Sequence, residues 1–252
     1  MKRLASLGAL VAALATTAAA RAQAYDANAV KDPDSTIAVE MRFGAYHPNV
    51  DAEFANTSHA TPYDDTFGSS TRFMIGGEVD WEFLHVEHLG SLSLGGLVGY
   101  TKATGAAKFA SGPNAGQPSA ETAALEVIPM AALLVARLDI VARETVFPIV
   151  PYAKFGIGTA WWNSTNGSGT SHANIDGTLG RGHSNGLVYA GGVMFLLDSL
   201  DRQTAKTFQV QQGVNHTYLF AEWTVTAFDG LLQTNAMNVG DSTWNVGFAF
   251  EM

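Results

Sequence analysis

The chain of 252 residues contains no cysteine. Disulfide stapling, thiolate metal sites and cysteine nucleophiles are therefore excluded at once. Charge is scarce, at 15% Asp, Glu, Lys and Arg, against about 25% in an average soluble domain. What charge there is leans acidic, 23 Asp and Glu against 14 Lys and Arg. No basic cluster interrupts it, so nucleic-acid binding lacks the phosphate-neutralising footprint it depends on. With 47% hydrophobic residues the chain is not disordered either. Past residue 24 no apolar run reaches the length of a helical membrane span, the most apolar stretch being residues 128–135. Helical periodicity is nearly absent, and there is no G-x-S-x-G, P-loop or dinucleotide-binding fingerprint.

The first 24 residues carry an address. Met1-Lys2-Arg3 is basic, residues 4–20 are apolar apart from Ser6, Thr16 and Thr17, and Ala22-Gln23-Ala24 closes the stretch. A basic start, an apolar run and an A-x-A site predict a cleaved secretory signal peptide over residues 1–24. With no cysteine to acylate, lipoprotein processing is excluded. Residues 25–34 are then a short periplasmic segment. The mature chain keeps 23 acidic and 11 basic residues. An exported chain without disulfides must draw its stability from a large core or from a membrane.

Residues 35–252 read as strands. Apolar side chains alternate with polar or small ones through Ile37 to Ala45, Ile75 to Phe83, Leu92 to Tyr100, Ile149 to Trp161, Leu187 to Phe195, Leu219 to Val225 and Trp244 to Met252. An eighth segment, Leu125 to Leu138, is apolar at both parities, so its facing is open. Period-two alternation gives each strand one apolar and one polar face. The polar face carries Glu40, Arg42, Glu78, Asp80, Glu82, Lys154 and Glu222 in strand middles. A soluble sandwich places such charges outside; a membrane barrel places them in its lumen and turns the apolar face to lipid.

The connectors discriminate between the two. They run long, short, long, short, long, short, long, with Gly, Asn, Ser and Thr enriched in the long ones at 47–71, 103–119, 163–185 and 229–242. Long loops at one end and tighter turns at the other are the asymmetry of an outer-membrane barrel. The connector at 198–213 is long for a turn and is expected to hold a helical turn over 201–206. Aromatic residues gather at strand ends: Trp161, Trp162 and Trp244 at the loop end, Phe83, Phe195 and Phe250 at the other, as an interfacial girdle requires. Trp223, mid-strand, supports neither reading. The predicted fold is all-β, an eight-stranded antiparallel up-and-down transmembrane β-barrel in the bacterial outer membrane. A hairpin hidden in 47–71 would raise the count to ten.

Three segments carry a resemblance. Trp244-Asn-Val-Gly-Phe-Ala-Phe-Glu-Met252 resembles the terminal assembly strand of outer-membrane barrels, with Met252 where Phe or Trp is usual. Pro151-Tyr-Ala-Lys-Phe-Gly-Ile-Gly158 looks like a strand of small OmpA-like and OmpW-like barrels. Gly213-Val-Asn-His-Thr-Tyr-Leu-Phe-Ala-Glu-Trp223, with Asp229-Gly230, Gly240-Asp241 and Glu251-Met252 after it, is similar to a myxobacterial-type family of small outer-membrane β-barrels. The resemblance implies a location and a fold, outer-membrane lipids as surroundings and the barrel assembly machinery as partner of the C-terminal strand. It implies no activity.

Candidate chemistry is thin. His85-Val-Glu-His88 lies at a strand end, where positions three apart face opposite ways, so polar turn residues are the better reading than a metal site. His47, His59, His172 and His183 fall in loops. Ser171-His172 and His183-Ser184 place nucleophile and base types side by side, but in one Gly/Ser-rich loop that supplies no orienting third group. No catalytic, metal or cofactor residue is therefore assigned. Glu222 needs a basic partner, Arg42 or Lys154, with Glu40 and Glu78 competing for both. The expected role is non-enzymatic: structural, surface contact through long loops, or narrow permeation. The alternatives are a lipid-modifying outer-membrane enzyme and a soluble periplasmic barrel binding an apolar ligand. A non-enzymatic barrel predicts that its loops can be deleted without loss of folding.

Overall fold

The computed structural model describes residues 36–55, 61–86, 89–109, 112–144, 147–167, 169–171, 179–200, 202–233 and 236–252. The expected signal peptide and the segment 25–34 lie outside the described residues, as do His59, His88 and His172.

Eight long strands follow one another: β1 (Ile37–Tyr46), β2 (Arg72–Val86), β3 (Gly90–Lys108), β4 (Pro118–Arg137), β5 (Ile149–Asn166), β6 (Arg181–Leu196), β7 (His216–Ala227) and β8 (Asp241–Glu251). Each pairs antiparallel with its sequence neighbours, and β8 returns to β1 over Ala38↔Glu251 to Gly44↔Asn245. The sheet is therefore a closed up-and-down barrel. A two-residue strand, Gly169–Thr170, only folds back on the end of β5. Among the described residues no helix is long and apolar enough to cross a membrane.

Among the described residues the loop 47–71 holds a 3-10 turn, Asn49–Phe54, and helix α1, Pro62–Phe67, and no hairpin, so the barrel has eight strands. The expected loops 103–119 and 163–185 are shorter than the alternation suggested. Backbone pairing continues through Lys108↔Pro118 and Asn163↔Arg181 after the apolar pattern has faded. At the opposite end stand helix α2, Ile140–Glu144, and helix α3, Arg202–Gln212, the latter longer than the helical turn expected there.

The faces are those of an inside-out protein. Met41, Ile75, Trp81, Leu94, Phe155, Ile157, Val193 and Val246 are exposed on the outer surface, while Glu40, Glu78, Asp80, Lys154 and Glu222 are buried inside. On β4 the odd-numbered residues point inward: Leu125, Val127, Leu133, Val135 and Arg137 are buried, and Leu134 is exposed. This settles the one facing that parity leaves open. Two of the inward glycines are closely surrounded. A Cβ on Gly95 would stand 2.5 Å from Asp80 Oδ1, and one on Gly247 would stand 2.7 Å from the Phe220 ring. The room these glycines vacate is taken by the Asp80 carboxylate at Gly95, and by the Met41 carbonyl and the Phe220 ring at Gly247.

Candidate functional site

The half of the lumen nearest the short turns holds a charge cluster beside a smaller apolar group that includes Val150, Met194 and Ala249. Strand geometry assembles it: residues two apart share a face, which puts Glu40 with Arg42 on β1 and Glu78 with Asp80 on β2. The register then sets Glu40 directly opposite Glu78. Like charges facing each other repel, and two cations reverse the sign. Lys154 Nζ lies 2.6 Å from Glu40 and 2.8 Å from Glu78. Arg42 Nη2 lies 2.8 Å from Glu40 and 2.6 Å from Glu78, and its Nη1 is 2.9 Å from Glu222. Lys154 reaches Glu222 only at 3.7 Å, so Arg42 is the nearer of its two expected partners.

A third cation lies outside the expected set. Arg137, at the end of β4, places Nη2 2.5 Å from Asp80 and 3.3 Å from Glu40, and Nη1 3.4 Å from Glu251. Hydroxyls complete the shell. Tyr152 donates to Glu222 at 2.9 Å, Thr224 to Glu222 at 2.7 Å and Tyr218 to Glu251 at 3.1 Å. Five carboxylates thus face three cations, a formal excess of two negative charges. The Phe220 ring lies 5.8 Å from the Arg42 guanidinium and 5.9 Å from Lys154 Nζ, adding cation–π contacts. Glu40, Glu78 and Asp80 each bring an oxygen within 4.8 Å of the others, a spacing a metal ion could use. Here the bridging cations are the protein's own Lys154, Arg42 and Arg137.

The half nearest the long loops is apolar. Tyr46, Ala103, Leu125, Val127, Leu133 and Val188 line it, and Val50 and Tyr63 from loop 47–71 and Phe228 and Val239 from loop 228–240 descend into it. These loops are fastened to the wall. The Tyr46 hydroxyl donates to the Val239 carbonyl, and the Asn49 amide to Gly240 O at 2.9 Å. The Asp51 carboxylate accepts the amides of Tyr63 at 2.6 Å and Asp64 at 3.1 Å, and His47 Nε2 meets Asp64 at 2.9 Å. Burial pushes the Tyr63 phenol above its ordinary pKa. Between the halves lies a cavity of about 30 Å³ whose lining includes Arg42, Tyr46, Thr224 and Asn245. That is room for one or two waters.

The remaining singled-out residues separate. Trp161 and Trp244 are exposed on the outer face, and Phe250 shares the outward parity of Val246 and Phe248 near the turns. Trp162 is a correction: it packs against the inner apolar cluster and donates Nε1–H to Ser184 at 3.3 Å. Consecutive strand residues face opposite ways, so only one of the pair Trp161-Trp162 can join an outer girdle. Trp223 pairs with Trp244 across β7 and β8 at 5.1 Å, edge to face. His183 is exposed on the outer side of β6, while Ser184 is buried and donates to Met237 O at 2.5 Å, so the two adjacent residues form no dyad. His85 meets Glu82 at 3.2 Å, and His216 meets Asp198 at 2.9 Å beside the β7 start.

No family model matches the chain, and no curated protein matches it. Solved structures do. OprG of Pseudomonas aeruginosa, an outer membrane protein, aligns at 11% identity and TM-score 0.45 over 86% of this chain and 96% of its own. Ail of Yersinia pestis, an attachment invasion locus protein solved with the heparin analogue sucrose octasulfate, aligns at 12% and 0.41 over 86% and 97%. The outer membrane enzyme PagL aligns at 14% and 0.39 over 85% and 99%. None reaches a TM-score of 0.5, so the barrel assignment rests on this chain's own strand pairing.

Proposed function

We propose that the chain is a non-enzymatic, integral outer-membrane β-barrel with a closed lumen, contributing to the envelope through its wall and loops rather than through a pore. The observation that carries this reading is the inversion of its faces. Large apolar side chains cover the outside and seven charged ones are buried inside, an arrangement that water would penalise and a bilayer favours. A soluble barrel with an internal apolar ligand has the opposite polarity. The filled lumen argues against steady permeation, because an eight-stranded barrel leaves only the width that side chains occupy. Outer-membrane lipids are the expected surroundings. The strand β8, with Trp244, Phe248 and Phe250 outward, is the segment offered to the assembly machinery.

Gel mobility of the isolated outer-membrane fraction, heated against unheated in SDS, tests the barrel. A closed ladder resists cold detergent, so a heat-dependent shift is expected. Recovery in the soluble fraction with a single mobility overturns the membrane reading. Planar-bilayer recordings of the purified protein are expected to show no steady open channel. Hydrolysis or acyl transfer on phospholipid or lipid A by the purified barrel would overturn the non-enzymatic part alone.

A further inference from the structure

The loop 228–240 has two sides. Its ends, Phe228 and Val239, are buried in the barrel mouth, while its turn presents Leu231, 41% exposed, and Leu232, 100% exposed. This is no loose tip. Gly230 and Leu231 both donate their amides to Asn185 O at 3.0 Å, and Gln233 N returns to Gly230 O at 2.7 Å to close a four-residue turn. The Gln233 side chain accepts the Asn185 amide at 2.7 Å. The turn therefore takes over, at Asn185, the edge of β6 that β7 leaves when it ends at Ala227. Within it Leu232 has φ 61°, the only non-glycine residue with positive φ among those described. Turns that demand this conformation normally place Gly or Asn there. A leucine held in left-handed backbone, fully uncovered and rigidly fastened, is an outlier that calls for a partner.

Its height on the barrel identifies the partner. Asn185 pairs with Thr159, two residues (about 7 Å) toward mid-barrel from the pair Trp161↔His183. Trp161 is the outward aromatic of the loop end, and Leu187 and Tyr189 continue the outer face of β6 below Asn185. The turn thus meets the barrel at the upper margin of the outer apolar band, where interfacial aromatics sit. We infer that Leu231 and Leu232 form a lipid-inserting tip, dipping into the headgroup–acyl boundary of the surrounding leaflet. Their loop pins the mouth shut with one side and grips the bilayer with the other. The inference rests on the outer-membrane reading above.

The cysteine-free chain makes the test direct. Leu232→Cys, Val193→Cys on the outer face of β6 and Asn114→Cys in the exposed turn 112–117 are each labelled with an environment-sensitive fluorophore. The barrels are folded into phosphatidylcholine vesicles carrying lipids spin-labelled at shallow or deep positions, and heat-dependent mobility verifies each fold. The Leu232 label is expected to be blue-shifted and to lose most intensity to shallow quenchers. The Val193 label should lose more to deep ones, and the Asn114 label little to either. If the Leu232 label behaves like Asn114 while Val193 is quenched, the tip stands in water, the lipid partner is overturned and an apolar protein contact takes its place. If Val193 also escapes quenching in a folded barrel, the membrane reading itself falls.

Discussion

The two halves of the lumen are lined by the same strands, yet they are stabilised in different ways. Near the turns, strand middles supply Glu40, Arg42, Glu78, Asp80 and Lys154, and ion pairs reach across the chain, as between Asp80 and Arg137 and between Arg42 and Glu222. Near the loops, the same inward parity supplies Leu125, Val127 and Val188, and the filling comes from segments outside the strands. The inner face of a barrel is therefore not one environment. In the charged half each group's burial depends on named partners, so one loss leaves another charge uncompensated. In the apolar half cost follows the volume removed, and the loops can settle around a gap.

That contrast can be tested by substitution, with stability read from urea unfolding of the folded barrel in vesicles. Lys154→Met is expected to cost the most, about 3–5 kcal/mol, because Glu40 and Glu78 are left facing each other without it. Adding Glu78→Gln to Lys154→Met should recover part of that loss; a double variant no better than the single one would separate Glu78 from the cluster. On the outer face, Val79→Lys should cost roughly 2–4 kcal/mol near mid-membrane, and undiminished assembly would count against the assigned facing. Leu125→Ala in the apolar half should cost about 2 kcal/mol, the low end for such a truncation, if the loop plug relaxes into the space. A loss as large as that of Lys154→Met would erase the distinction between the halves. Trp162→Phe is expected to cost least, about 1 kcal/mol, by removing the hydrogen bond to Ser184 while keeping a smaller aromatic ring in place.

The expectation that the loops are dispensable does not fit this mouth. Val50, Tyr63, Phe228 and Val239 are as buried as the wall they cover, so excising 48–68 would expose Leu125 and Val127 to water.

Alternation made seven strands and their facings legible, because one parity was apolar and the other was not. It was silent on β4, where Leu125, Val127, Leu133 and Val135 inside are matched by Ile128, Met130 and Leu134 outside. That silence hid Arg137, whose place in the cluster depends on the parity of β4. Glu251 escaped notice for another reason: its partner sits 114 positions away, and only the register brings them together. Register also makes the Trp223–Trp244 pair, which neither residue announces alone. The plug was illegible because a loop of polar residues with a few apolar ones among them looks the same whether those apolar residues point in or out.

The pairing of β8 with β1 has a kinetic consequence. Seven of the eight principal ladders join strands adjacent in the chain and can zip up locally, but the eighth joins Ala38 to Glu251. Until that seam closes, the chain is a curved sheet with two raw edges, each able to pair with any strand nearby. Loop closure over such a span is slow. The period of greatest aggregation risk therefore falls at the last step of folding, and a variant that weakens only the seam would lose yield well before it lost stability.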